Sequence, residues 1–254
     1  MLIGLQNLEK DFGEAVILKE ITANVEQGDR IGIVGENGAG KTTVFNMLTN
    51  VYTPTRGSIL VDGVSTAGKK TYQVNKMGIA RTFQNIRLFK DLTVLDNVLI
   101  GMHNDMSYHL VNSVLRLPGY WKQEREARQK ALELLGIFHM QDMAQLQAGS
   151  LPYGAQRRLE IVRALASKPK LLLLDEPAAG MNPSETAELM DTIAYIRDTF
   201  HIAILLIEHD MNLVMGVCEG IAVLSFGRII AKGTPDEIRS NPQVIEAYLG
   251  KQEG

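Results

Sequence analysis

The sequence predicts an α/β fold with a parallel-sheet core, an N-terminal antiparallel β part and an inserted helical subdomain. Two observations predict it. The aliphatic runs at residues 171–174 and 202–207 lack the alternation of a half-buried strand, which is typical of parallel strands covered on both faces. Strand-like and helical segments alternate on both sides of residues 93–160, whereas that block is mostly helical. The predicted core is therefore residues 1–92 and 161–254, interrupted by a subdomain of residues 93–160.

The elements follow from local patterns along the chain. Near the N-terminus, apolar segments at 16–18 and 21–25 are separated from their neighbours by Gly13 and Gly28, which predicts strands joined by turns. Residues 30–34 then predict a short strand and residues 42–48 a helix. The later predicted elements are a strand at 57–63, helices at 155–167 and 184–200, a hairpin at 221–231 around Phe226 and Gly227, and a terminal helical segment at 235–249.

Composition limits the class of protein. The chain has 254 residues, of which 26 are Lys or Arg and 29 are Asp or Glu, so the net charge of −3 indicates no general attraction to nucleic acid. Cys218 is the only cysteine, which excludes an internal disulfide and indicates a core residue. No apolar run approaches the ~18 residues of a membrane span, and the N-terminus lacks a secretion signal. We therefore expect a cytosolic protein that depends on another chain if it works at a membrane.

The most informative motif is the glycine-rich run between the predicted strand 30–34 and helix 42–48. It matches G-x-x-x-x-G-K-[ST], the P-loop, and consists of Gly35, Glu36, Asn37, Gly38, Ala39, Gly40, Lys41, Thr42 and Thr43. Such a loop directs backbone N–H groups at phosphates, and the helix N-terminus adds partial positive charge. Lys41 is expected to reach the outer phosphates and the Thr42 hydroxyl to bind Mg²⁺. The core is thus predicted to be a nucleotide-binding core of the P-loop NTPase class.

Two carboxylates end the aliphatic run 171–174. Asp175 is expected to hold Mg²⁺, directly or through water, as an Asp does after the corresponding strand of P-loop enzymes. Pro177 predicts that the strand ends here, so that Glu176 is free to polarise water for attack on the γ-phosphate. The pair predicts hydrolysis in addition to binding.

Two further polar residues follow predicted core segments. Gln84 lies just ahead of the helical block, where its amide could contact both the metal and the attacking water and so report the nucleotide state. His209 follows the run 202–207 and could donate a hydrogen bond to the γ-phosphate. Each is a weak signal alone and gains meaning only beside the P-loop.

Taken in order, the P-loop, Gln84, Asp175, Glu176 and His209 resemble the ATPase subunit of ATP-binding-cassette transporters. The resemblance covers residues 2–249. It is greatest to the ATPases of branched-chain amino acid importers, and the supporting segments are 80–89, 156–161 and 175–183.

The resemblance implies ATP and Mg²⁺ as cofactors and assigns roles at matching positions. Those roles are adenine stacking for Phe12 with Val16 beside it, the Q-loop and a metal contact for Gln84, the catalytic base for Glu176, the switch histidine for His209, and the D-loop for Asn182, where many members carry Asp.

The main departure from the family is the signature loop. Many members have Leu-Ser-Gly-Gly-Gln, whereas this chain has Leu151, Pro152, Tyr153, Gly154 and Ala155. In the family this loop holds the γ-phosphate of ATP bound to the partner subunit. Pro152 has neither hydroxyl nor N–H, while the following helix still offers its dipole, so we expect a weakened anion site. The change favours a heterodimer with a different ATPase over a homodimer.

The resemblance implies a motor subunit that drives separate transmembrane permease subunits and, indirectly, serves an extracytoplasmic substrate-binding protein. It would lie on the inner face of the cell membrane and would not bind nucleic acid. The alternatives are an ATPase for lipid or lipopolysaccharide transport, a non-transport soluble ATPase of the same family and, less compatible with Gln84 and His209, a small-molecule kinase. The apolar segment 101–121 suits either a permease contact or subdomain core.

Overall fold

The computed structural model describes residues 1–102 and 118–249. The chain forms two compact units. The first combines Met1–Gln84 with the C-terminal part from Lys170 onward, and the second is Asn85–Pro169. The expected subdomain of residues 93–160 falls inside this second unit, which extends further at both ends.

The first unit contains two sheets and the helices beside them. Its strands are β1 (Ile3–Phe12), β2 (Ala15–Val25), β3 (Arg30–Gly35), β4 (Arg56–Val61), β5 (Val64–Ser65), β6 (Ile79–Arg81), β7 (Leu171–Asp175), β8 (Ala203–Ile207), β9 (Gly220–Ser225) and β10 (Arg228–Gly233). Its helices are α1 (Lys41–Leu48), α2 (Thr71–Lys76), α6 (Pro183–Phe200), α7 (Met211–Val217), α8 (Pro235–Arg239) and α9 (Pro242–Leu249), and the three helices between α2 and α6, at residues 94–101, 118–137 and 153–165, belong to the second unit.

The N-terminal sheet has the strand order β2-β1-β4-β5 and is antiparallel throughout. This confirms the antiparallel part expected from the sequence. The two apolar segments of residues 16–25 lie on one strand, β2. Glu20 between them takes a left-handed φ of 53°, and the β1–β2 register shifts there, so a bulge interrupts the pattern without ending the strand.

The second sheet has the order β10-β9-β3-β8-β7-β6, and all neighbours are parallel except the β9–β10 hairpin. Every residue of β7 and β8 is buried, which explains the lack of alternation in their sequences. The predicted α/β class and parallel core are confirmed. Because β3, β7 and β8 are parallel neighbours, the residues that follow them reach the same edge of the sheet.

Four short elements of the first unit were not predicted, namely β5, α2, β6 and α7. Helix α2 buries only Val74, and β6 has three residues, so neither has a recognisable period. Helix α7 begins directly after His209-Asp210. The terminal segment 235–249 contains two helices, because Pro242 starts a new one after Asn241.

The α-helices of the second unit, in the part of it that the structure describes, are α3 (Val94–Gly101), α4 (Pro118–Ile137) and α5 (Tyr153–Leu165). Buried Asn97 accepts from the Phe89 N–H at 3.0 Å and donates to the Phe89 carbonyl at 3.1 Å, which fixes the segment before α3. Arg157 and Glu160 lie outside the apolar face of α5 in the sequence, yet both are buried as an ion pair of 2.8 Å. Glu160 also accepts from the Arg87 N–H at 3.2 Å. These contacts explain why residues 85–92 belong to the helical unit.

Three further expectations concern the apolar segment 101–121, membrane-spanning helices and Cys218. Of the apolar segment 101–121, residues 103–117 lie outside the described residues, and the described Trp121 is 49% exposed. Within residues 1–102 and 118–249, no helix combines the length and apolar character needed to cross a membrane.

Cys218 is buried as expected, and burial raises the pKa of its thiol to about 12, so it is un-ionised and unreactive at neutral pH.

Candidate functional site

The P-loop leaves β3 at Gly35 and enters α1 at Lys41. Gly38 and Gly40 take left-handed φ values of 84° and 102°, conformations that glycine adopts without strain. A Cβ on Gly40 would also lie 2.5 Å from Leu18 Cδ2, so a side chain here would have to displace the Leu18 side chain. Gly40 is the N-cap of α1, where no side chain caps the helix. The N-terminal partial charge of α1 therefore stays available for an anion.

Lys41 is buried at the centre of this loop. Its ammonium donates to the carbonyls of Gly35 and Glu36, the second at 3.1 Å. Burial lowers the pKa of Lys41, and the nearby carboxylates of Glu176 and Asp175 oppose that shift. The cation is thus held where the helix start, the loop and the acidic groups converge.

Asp175 is the last residue of β7, and its carboxylate forms an ion pair with Arg81. The Arg81 guanidinium contacts Asp175 Oδ2 at 2.7 Å and Asn46 Oδ1 at 2.7 Å, and the Arg81 and Asp175 side chains are each only 6% exposed. Asn46 lies one helical turn after Thr42, so the two share a face of α1. That shared face places Thr42 on the side of α1 that approaches Asp175.

Glu176 leaves the strand in a strained conformation. Its φ of 44° is left-handed, which costs a non-glycine residue about 1–2 kcal/mol. The Glu176 N–H donates to the Ile207 carbonyl at 2.9 Å, and the Gln84 amide donates to Glu176 Oε2 at 2.6 Å. Adjacent carboxylates therefore have separate partners, as expected from a strand that ends between them.

His209 follows β8, and its side chain is 65% exposed. The preceding residue, Glu208, is buried: one carboxylate oxygen accepts from the Ala178 N–H at 2.9 Å and the other from the His209 N–H at 3.3 Å. Burial raises the pKa of the Glu208 carboxyl, an effect that the two N–H donors oppose. The segments that carry Glu176 and His209 are therefore joined through Glu208.

Phe12 ends β1 with 45% of its surface exposed, and Val16 across the turn is 49% exposed. The Phe12 and Tyr52 rings pack in a T-shaped arrangement with centroids 5.1 Å apart, and the Lys10 ammonium lies 4.8 Å from the Phe12 centroid. An exposed aromatic ring held in this way is suited to stacking against a base.

Asn182 is the N-cap of α6. Its side chain accepts from the Glu185 N–H at 3.0 Å, and the Glu185 carboxylate accepts from the Asn182 N–H at 3.0 Å. Pro183 occupies the first helical position. Asn caps a helix as well as Asp does, so the amide at this position keeps the local geometry without the charge.

The signature loop lies in the second unit, at the start of α5. Pro152 is the N-cap residue, no side chain caps this end, and the Pro152 carbonyl accepts from the Gln156 N–H at 2.9 Å. Gln156 also donates through its side chain to the Leu151 carbonyl at 2.8 Å. Tyr153 is 43% exposed, and Gly154 and Ala155 open the first turn.

The structure thus brings Lys41, Gln84, Asp175 and Glu176 together in the first unit and links His209 to them through Glu208. Sequence reasoning did not select Arg81 or Glu208. The signal for Arg81 was a charged residue at the end of a short apolar strand, and the signal for Glu208 was a carboxylate directly after a buried strand.

The donor chemistry fits Mg²⁺, which favours oxygen ligands and binds through one or two carboxylates together with phosphates. Thr42 supplies a hydroxyl, Asp175 a carboxylate and Gln84 an amide oxygen. Among the described residues, no three His, Cys, Asp or Glu side chains cluster as a metal site.

Comparisons with known proteins agree with this geometry. The ABC transporter family model matches residues 18–179, and a model for branched-chain amino acid ATP-binding cassette transporters matches residues 228–254. The high-affinity branched-chain amino acid transport ATP-binding protein BraF of Pseudomonas aeruginosa is 42% identical over 98% of both chains. The lipopolysaccharide export system ATP-binding protein LptB of Acidithiobacillus ferridurans is 32% identical over 99% of this chain and 98% of its own.

Solved structures give the same result. The ADP conformation of MJ1267, an ATP-binding cassette of an ABC transporter, has a TM-score of 0.84 and 30% identity and covers 98% of this chain and 99% of its own. A dimeric structure of the cassette MJ0796 bound to ADP and Pi has a TM-score of 0.76 and 25% identity over 92% of this chain and 98% of its own. The chain therefore belongs to the ABC transporter family as an ATP-binding cassette, and its activity is that of an ATPase.

Proposed function

We propose that this chain is the ATP-hydrolysing subunit of an importer for branched-chain or other hydrophobic amino acids. The observation that carries the proposal is the 42% identity with BraF over 98% of both chains, compared with 32% for LptB. The match of the C-terminal residues 228–254 to the branched-chain amino acid model supports the same substrate class. The chain would work on the cytoplasmic face of the membrane, bound to separate permease subunits. An extracytoplasmic binding protein would deliver the substrate to those permease subunits.

In the proposed site, the P-loop and the start of α1 cradle the ATP phosphates, and Lys41 contacts the outer ones. Thr42, Asp175 and Gln84 would hold Mg²⁺, which when bound would offset negative charge on the phosphates. Glu176 accepts a proton from the attacking water, and His209 donates to the γ-phosphate. The adenine stacks on Phe12 beside Val16. The Gln84–Glu176 contact of 2.6 Å supports this assignment, because it connects the proposed base to the residue proposed to contact metal and water.

One feature of the first unit supports docking of a permease subunit. A groove of about 620 Å³ in the first unit is lined by apolar and aromatic side chains, among them Val51, Tyr72 and Phe83, and by polar and charged ones, among them Lys70 and Arg81. Such a groove suits a helix of the permease. The second ATPase would meet the P-loop side, and the D-loop at Asn182 and the signature loop 151–155 would face that subunit's ATP.

We propose further that the two ATP sites of the assembly are unequal, because Pro152 weakens the signature loop of this chain, and Pro152→Ser tests this. A serine at this N-cap restores the hydroxyl that the proline lacks. One added hydrogen bond to a charged phosphate contributes about 1.5–3 kcal/mol. We therefore expect the ATPase rate of the reconstituted transporter to rise about tenfold at ATP concentrations below KM.

The matched control is Ser150→Ala. The Ser150 hydroxyl bonds to the Gln147 carbonyl at 2.7 Å, away from the proposed phosphate contact, so its loss should leave the rate unchanged. If Pro152→Ser behaves like this control, the signature loop does not limit phosphate binding.

Transport of lipid or lipopolysaccharide is the alternative that one observation favours, namely the 32% identity with LptB over nearly the whole chain. The two functions are separated by reconstituting the chain with its permeases and second ATPase in proteoliposomes. ATP-dependent uptake of labelled leucine in the presence of the binding protein supports amino acid import. Transfer of lipopolysaccharide without leucine uptake supports the alternative.

A further inference from the structure

Glu208 is a buried carboxylate that the proposed chemistry does not use. It lies directly after β8 and before His209, and only 1% of it is exposed. Removing a carboxylate from water is costly unless hydrogen bonds replace the lost hydration. The surroundings also include the Glu176 carboxylate, whose charge adds to the cost. The hydrogen bonds of Glu208 show which parts of the chain this buried carboxylate holds together.

Those contacts lead to the backbone on either side of the proposed catalytic residues. Glu208 Oε1 accepts from the Ala178 N–H at 2.9 Å, two residues after Glu176. The other oxygen accepts from the His209 N–H at 3.3 Å and lies 3.7 Å from His209 Nδ1. One side chain therefore holds the segment after β7 against the segment after β8.

The segment after β7 needs such support. Glu176 has a left-handed φ of 44°, a conformation that persists only when its surroundings fix it. The Glu176 N–H is bonded to the Ile207 carbonyl at 2.9 Å, and the Ala178 carbonyl accepts from the Met181 N–H at 3.0 Å to form a turn. The bond from the Ala178 N–H to Glu208 is a side-chain contact that anchors this turn next to Glu176 and ahead of Asn182.

We propose that Glu208 is a positioning residue for ATP hydrolysis, which fixes the backbone of Glu176 through the Ala178 N–H. The inference rests on the proposed role of Glu176 as the base. Glu208 is placed to act on the position of that base and, through the longer bond of 3.3 Å, on the backbone of His209, and it does not itself contact the phosphates in the proposed site. Its loss should therefore lower kcat more than ATP affinity, since a small displacement of a base slows the chemical step.

The test compares Glu208→Gln with Glu208→Asp in the full chain reconstituted with its permeases and second ATPase. Gln keeps the reach and an acceptor oxygen but loses the charge, whereas Asp keeps the charge but is one methylene too short for the Ala178 N–H. We expect kcat of the Asp variant to fall about tenfold or more, with the Kd for ATP within about threefold of the unmodified chain. The Gln variant should retain kcat within about threefold.

Amide hydrogen exchange gives a second, independent measurement. In the Asp variant the Ala178 amide should exchange at least about tenfold faster, while the amides of β7 and β8 keep their protection. The inference is overturned if Gln lowers kcat as far as Asp, if ATP affinity falls in parallel with kcat, or if the Ala178 amide exchanges faster with kcat unchanged. The last result would leave the proposed function intact. Normal turnover by Glu176→Gln would instead show that Glu176 is not the general base.

Discussion

Replacing Glu176 by glutamine is expected to abolish multiple-turnover ATP hydrolysis and to preserve ATP binding. Glutamine keeps the shape and the hydrogen bond to Gln84 but cannot accept a proton from water at neutral pH. A positioned general base contributes about 10²- to 10⁴-fold, so kcat should fall by that factor. The Kd for ATP should stay within about threefold, because Glu176 is not proposed to bind the nucleotide. Steady-state phosphate release and equilibrium binding measure the two quantities.

The control for this variant is Asp191→Asn, which removes a carboxylate from the exposed surface of α6. It should leave both quantities unchanged. If Glu176→Gln continues to release phosphate over many turnovers at a rate close to that of the control, another group takes the proton.

Replacing Lys41 by alanine is expected to remove most of the ATP affinity. The ammonium is buried in the P-loop next to the start of α1, so its contact with phosphate would be made where water screens it little. The Kd for ATP should rise about 10²-fold, which corresponds to about 2.7 kcal/mol. Hydrolysis at saturating ATP should also fall, because the same charge stabilises the transferred phosphoryl group.

Because Lys41 also donates to the Gly35 and Glu36 carbonyls, its removal also tests the stability of the loop. A thermal unfolding measurement without nucleotide separates the two effects. Lys130→Ala on the exposed surface of α4 is the matched control and should bind ATP normally. A Lys41→Ala chain that is as stable as this control and binds ATP equally well would contradict the assignment of the P-loop lysine.

The fold and the core of the site followed from patterns that the sequence displays locally. Buried parallel strands have continuous aliphatic sequences, and β7 and β8 were found on that basis. The P-loop was predictable because its glycines are required by the backbone itself, as the φ of 102° at Gly40 shows. Gln84, Asp175 and Glu176 were placed by their order along the chain relative to these elements.

The remaining features depend on contacts between distant residues. Arg81 pairs with Asp175 across 94 positions, and the Glu208 carboxylate bonds to an amide 30 positions away. No local period encodes such pairs. The boundary of the helical unit was also missed, because residues 85–92 have no secondary structure of their own and are held by Asn97 and Glu160. Short elements such as β6 and α2 were missed for the same lack of a period.

The central claim is that Lys41, Thr42, Asp175 and Glu176 form half of an ATP site, which the signature loop of another ATPase subunit completes. The most direct test is sedimentation of the Glu176→Gln chain with and without Mg²⁺ and ATP, alone and mixed with the second ATPase of the transporter. We predict a monomer without ATP, weak association of the chain with itself in ATP, and a stable ATP-dependent heterodimer in the mixture. A Glu176→Gln chain that binds ATP tightly and stays monomeric in every mixture would contradict the claim.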